Sequence, residues 1–234
     1  MKTSSTTIPS EAHVSTSPAP ARTDLGATTR VAGGAVTEPS ARPPVSTATA
    51  RRLALPLVLG ALTWSVSSFA LGFNPESSIG TTIQDLTGFA FQVGVMSLVV
   101  LQLKTAATGL GRGARVMLRV EQVLLTLAMT WSLVHGLFPG ARDATWLAVL
   151  DVFWPLSMLG MFVIAIKIAF AGRWRGLARW WPLVAESWAV VSVPSVVIGG
   201  DTLGQYVGAS HLLVGYVALG LLIIARPHLV GARD

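Results

Sequence analysis

From residue 53 onward long apolar runs alternate with short polar interruptions, whereas the first 50 residues hold no apolar run longer than two or three residues. Bounded by Gly, Pro and charge clusters, the runs are 53–73, 86–103, 116–138, 146–171, 181–199 and 207–225. As helices rising about 1.5 Å per residue, each is long enough to cross about 30 Å of hydrocarbon. The pattern predicts an all-α polytopic membrane protein. Residues 51–234 form a six-transmembrane-helix bundle, and residues 1–50 form a Ser/Thr/Pro/Ala-rich cytoplasmic tail.

Composition supports this reading. The chain is 52% hydrophobic and 12% charged, with a mean hydropathy of +0.61. A soluble domain carries about 25% charged residues, which it needs to coat a water-facing surface. Every Phe, Trp and Tyr lies after residue 50. The tail therefore lacks the apolar surface that would offset the entropy of ordering it, and it is predicted to be a disordered N-terminus. Arg51-Arg52 followed by LALPLVLGAL reads as an uncleaved signal anchor, since no small-x-small cleavage site follows. The Arg, Ala and Gly bias points to a bacterial source. With no cysteine, disulfides, thiolate catalysis, zinc ribbons and iron–sulfur clusters are excluded.

The net charge of +6 resembles a nucleic-acid signature until it is mapped onto the loops. Segments 104–115 and 172–180 hold Lys104, Arg112, Arg115, Arg173, Arg175 and Arg179, whereas 74–85, 139–145 and 200–206 hold Arg142 beside Glu76, Asp85, Asp143 and Asp201. Sixteen of the 17 Lys and Arg thus fall on one side, the bias that retains loops in the cytoplasm. The expected location is the cytoplasmic membrane with both termini inside, and the expected partner is the lipid bilayer rather than nucleic acid. Phe73, Phe138, Trp146 and Tyr206 fall at the outer boundary. Trp174, Trp180 and Trp181 fall at the inner one, within a GRWRGLARWW connector that is expected to lie in the headgroup zone.

Small residues Gly204, Gly208, Gly215 and Ala218, with His211 among them, share one face of the sixth span. That face suits close helix approach, within the chain or in a homo-oligomer or complex with another membrane protein. Pro155 and Pro194 are expected to kink the fourth and fifth spans.

Charged groups inside spans point by default to function. An inner layer holds Arg119, Glu121, Lys167 and Glu186. Lys167 is placed to pair with either carboxylate, and the layer reads as inter-helix salt bridges and snorkelling ends or as a proton relay. An outer layer holds His135, Asp151 and His211. These could ligate a divalent metal, or haem through the two histidines, or could simply hydrogen-bond across three helices. One stripe of the third span, from Glu121 to His135, joins the layers but is apolar between them. No phosphate-binding loop, GxGxxG, HExxH or Gly-x-Ser-x-Gly motif is present, so no catalytic residue or cofactor is assigned. Three functions follow as expectations. The first is a non-catalytic scaffold or accessory subunit. The second is a small proton-coupled transporter or permease, and the third is a membrane-embedded metal or haem protein.

Overall fold

The computed structural model describes residues 45–234, and all regular structure among them is helical. The expected disorder of the tail lies outside the described residues, except at its end. Ser46 there takes the Thr49 amide on its Oγ at 3.1 Å and caps helix α1, Thr47–Leu71. The bundle thus begins inside the segment that composition assigns to the tail.

Helix α2, Ser78–Thr105, is capped by Ser77, which accepts from the Gly80 amide at 3.0 Å. It starts well before residue 86, so Asp85 is helical rather than part of a loop. Hydropathy misses this first stretch because its polar side chains bond to neighbouring helices. Thr82 Oγ1 donates to the Gly136 carbonyl at 3.0 Å, and Gln84 exchanges bonds with Ser67 and Ser68 at 2.8 Å. Helix α3 spans Arg112–Leu137. The next apolar segment is two helices, α4 (Thr145–Asp151) and α5 (Phe153–Ala171), divided at Val152, whose backbone stays in the right-handed helical region, just before Pro155.

The rest of the chain is one apolar helical stretch, Gly176–Ala225, with three interruptions. Helix α6, Gly176–Glu186, ends at Ser187, and α7 runs Trp188–Leu212. A π-helical turn, Leu213–Val217, then leads into α8, Ala218–Ala225. Inside α7, Gly200 has φ +73° and ψ −176°, a conformation essentially confined to glycine. There the chain folds back on itself. Trp188 Nε1 donates to the Gly208 carbonyl at 3.0 Å, and Trp181 Nε1 to that of Val214 at 3.0 Å. Pro194, by contrast, lies within a continuous helical arm.

Five continuous helical segments are therefore long and apolar enough to cross a membrane: α1, α2, α3, Thr145–Ala171 and Gly176–Ala225. Their outward surfaces are strongly apolar. Val197, Ile198 and Phe170 are 82%, 81% and 75% exposed, which suits contact with acyl chains rather than water.

Close helix approach depends on glycine. A Cβ on Gly60 would lie 2.8 Å from the Phe91 Cα, and one on Gly94 would lie 2.7 Å from the Leu57 Cα. α1 and α2 therefore meet backbone to backbone. Gly204, Gly208 and Gly215 are all buried. A Cβ there would collide with Val196, press Phe73 at 2.8 Å or press the Ala185 Cα at 2.8 Å. The small-residue face of the last span is thus filled by the chain's own helices and is not open to a second copy.

The GRWRGLARWW connector is partly folded into the bundle. Trp174 is 1% exposed, and its Nε1 donates to Thr105 Oγ1 at 3.0 Å. From Gly176 onward the segment is already helix α6. Trp180 remains half exposed, with the Arg179 guanidinium 4.9 Å from its ring centre.

Candidate functional site at the bundle centre

The inner charge layer does not assemble as salt bridges. Arg119 is exposed and bonds Gln122 Oε1 at 3.0 Å, and Lys167 is exposed on α5. Among the described residues the one ion pair joins His135 to Asp85, so Lys167 bridges neither Glu121 nor Glu186. Both carboxyls turn inward and take hydroxyl partners instead. Glu121, 1% exposed, accepts from Ser157 Oγ at 2.5 Å. Glu186, 5% exposed, accepts the Tyr216 hydroxyl on Oε2 at 2.7 Å, while its Oε1 is buried without a partner.

Local backbone places each group. Glu121 reaches inward because position 160 is glycine, where any Cβ would collide with its Oε2. Glu186 is the last residue of α6, where the helix breaks at Ser187, and Tyr216 sits within the π-helical turn. Helix breaks and π-bulges free backbone groups and concentrate at functional sites. Here two irregularities flank a single hydrogen bond.

Beside Ser157, Glu186 and Tyr216 lies a cavity of about 30 Å³, room for one or two waters. Glu186, Tyr216, Ser157 and Gln92 contribute its polar lining, with Trp64, Phe91, Trp154 and Trp188 around them. The rings pack on one another: Trp64 stacks on Phe91 at 4.9 Å between centroids and meets Trp154 edge-on at 5.5 Å. Gln92 is 2% exposed, and neither its Oε1 nor its Nε2 has a partner. Such groups are rare in a packed interior, because each costs about 1–3 kcal/mol when unsatisfied. Gln92 stands midway along α2 and Ser157 near the middle of Thr145–Ala171, so the site is level with the centre of the bundle.

The outer layer is divided. His135 Nδ1 pairs with Asp85 Oδ2 at 2.6 Å and stacks on Trp131, whose ring centre is 4.7 Å away. Asp151 is exposed yet near enough to act electrostatically on both His135 and Asp85. His211 belongs elsewhere: its Nε2 meets Ser187 Oγ at 3.1 Å beside the α6–α7 break, and its Nδ1 is buried without a partner. Among the described residues no three His, Cys, Asp or Glu side chains form a group that could hold a metal ion. His135, Asp151 and His211 form no such group, and the two histidines each engage a different partner. The physical reason is rotation about the helix axes. Similar depth does not make side chains on separate helices converge.

Sequence reasoning missed Asp85, Gln92, Ser157 and Tyr216. Gln92 and Ser157, polar residues within otherwise apolar runs, were the readable signal. Arg142 was seen only as a lone basic residue, yet it ties the chain together at the His135 end. It donates to the His135 carbonyl at 3.0 Å, Ser78 Oγ at 3.0 Å and Thr82 Oγ1 at 2.9 Å.

No family model matches this chain, and no curated protein or solved structure is significantly similar to it.

Proposed function

We propose that the chain is an integral membrane protein of six crossings, with its Arg-rich end in the cytoplasm, that works as a small proton-coupled permease. The sixth crossing follows from the reversal at Gly200. Gly176–Ala225 would measure about 75 Å as one straight helix, more than twice the hydrocarbon thickness, whereas two antiparallel arms fit it. The cytoplasmic placement rests on the basic residues gathered at the end that holds Lys104, Arg112, Arg173, Arg175 and Arg226.

The observation that carries the functional reading is Glu186 Oε1, a buried and unpartnered carboxyl oxygen beside a central cavity at a helix break. A purely structural carboxyl in hydrocarbon would have its acceptors filled. Glu121, Ser157, the cavity, Glu186 and Tyr216 form a polar series across α3, α5, α6 and the π turn, and His211 with Ser187 extends it from the other side of Glu186. This series crosses between helices, whereas the apolar stripe of α3 offers no such route.

The test is proton flux into liposomes carrying the purified protein and an entrapped pH-sensitive dye, driven by a potassium diffusion potential. Flux should exceed that of empty vesicles and fall sharply in Glu186→Gln and Glu121→Gln. It should persist in Lys167→Gln, since Lys167 lies outside the series. Flux equal to empty vesicles, or unchanged by both glutamate substitutions, refutes the reading.

A further inference from the structure

The occupant of the central cavity can be narrowed by what its walls lack. Glu186 Oε2 already holds the Tyr216 hydroxyl, while Oε1 holds nothing. Gln92, buried at the same cavity, offers a second free acceptor in Oε1. The remaining walls are largely aromatic, with Trp64, Phe91, Trp154 and Trp188 contributing rings. The Trp188 indole N–H is committed to the Gly208 carbonyl at 3.0 Å, and Gln92 Nε2, the unpartnered donor at the cavity, makes no hydrogen bond to Glu186 Oε1. A small species that donates hydrogen bonds and carries positive charge would satisfy both free acceptors and gain from the electron-rich rings.

Resting on the permease reading above, we propose that this cavity binds a small protonated amine, of ammonium or methylammonium size, held by Glu186 Oε1 and Gln92 Oε1 within the aromatic lining. Size sets the upper limit. About 30 Å³ admits a water-sized cation and excludes a quaternary ammonium head. Chemistry disfavours a bare sodium ion, because the Tyr216 and Ser157 hydroxyls at the cavity are already committed as donors to Glu186 and Glu121 and the rest of the wall is largely aromatic. A neutral water also fits by volume, but it gains nothing from the electron-rich rings that draw a cation. Position agrees as well: the site is central in the bundle and abuts a helix break, the arrangement in which transporters hold small ions.

The experiment is a titration of intrinsic tryptophan fluorescence in mild detergent, since three tryptophans line the site. Ammonium chloride and methylammonium chloride should each give a saturable change. Sodium chloride and tetramethylammonium chloride at equal ionic strength should give none. Glu186→Gln and Gln92→Leu should each raise the half-saturating methylammonium concentration about tenfold or more, the scale of one lost charge-assisted or buried hydrogen bond. Trp174→Phe, which removes a tryptophan outside the lining, should retain the signal. Gln92→Leu removes both polar atoms while keeping an apolar side chain of similar bulk, and it carries the test if Glu186→Gln does not fold. A response shared by sodium chloride, no saturable response, or wild-type affinity in Gln92→Leu overturns the inference. Proton flux without amine binding would sink this inference alone, and amine binding without flux would sink the proton reading alone.

Discussion

Gly60→Ala and Gly94→Ala test the seam on which the bundle is built. A Cβ at 60 would sit 2.8 Å from Phe91 Cα and collide with the Ala90 carbonyl oxygen, and one at 94 would sit 2.7 Å from both Leu57 Cα and Pro56 O. These are backbone atoms with no rotamer to yield, so α1 and α2 must move apart by about 1 Å to restore ordinary contact. A gap of that size forfeits about a quarter to a half of each dispersion contact along the seam, where Leu57, Ala61, Val95 and Leu98 are fully or nearly buried. Overpacking of this kind costs about 1–3 kcal/mol, and alanine returns up to about 1 kcal/mol of helix propensity. Each variant should therefore lose about 1–2 kcal/mol. The double variant should lose less than the sum, because one separation relieves both clashes. The measurement is unfolding in mixed micelles of increasing denaturing-detergent fraction, followed by far-UV circular dichroism. Gly113→Ala is the control, since a Cβ there meets nothing within 4 Å, and it should be neutral or stabilising. If Gly60→Ala behaves like the control, or if the two losses simply add, the seam does not set the helix separation.

Further outcomes follow from single contacts, read in the same assay. Arg142→Ala should cost about 1–3 kcal/mol by releasing the Ser78, Thr82 and His135 bonds together, and Arg142→Lys should recover only part of it because an ammonium lacks the planar fork. Gly200→Ala, at φ +73°, should cost about 1–3 kcal/mol through backbone strain, with a lowered thermal midpoint. Trp174→Phe should cost about 1 kcal/mol, the scale of the lost bond to Thr105.

Much of the architecture was legible because hydrocarbon demands long apolar runs, and the six runs fall within five continuous helical segments long enough to cross a membrane, the last two runs sharing Gly176–Ala225. Their ends were less legible. The start of α2 was hidden because Thr82, Gln84 and Asp85 look like loop residues until their partners on α1 and α3 are in place. For the same reason Asp85, rather than Asp151, became the partner of His135. The inward turn of Glu121 and Glu186 was half legible. Their depth flagged them, but hydropathy carries no azimuth, and Lys167 at similar depth points outward. The break at Ser187 and the π turn around Tyr216 leave no mark in composition at all. They arise from packing, and it is they that set Glu186 against the cavity.

The pairing of the described region's two ends has a practical consequence. Arg233 donates its amide to the Val45 carbonyl at 2.9 Å, and Thr47 bonds the Asp234 side chain. Residue order along the backbone is therefore not what holds α1 in place. A short Gly/Ser linker could join Asp234 to Val45 while the polypeptide is opened at Gly111, whose surroundings are empty within 4 Å. Such a rearranged chain keeps every helix and places both new ends in the loop between α2 and α3. It also makes α3 the first helix synthesised and α2 the last, so α1 and α2 would meet only after every other arm is inserted. Order of synthesis and native architecture can then be varied independently in this protein.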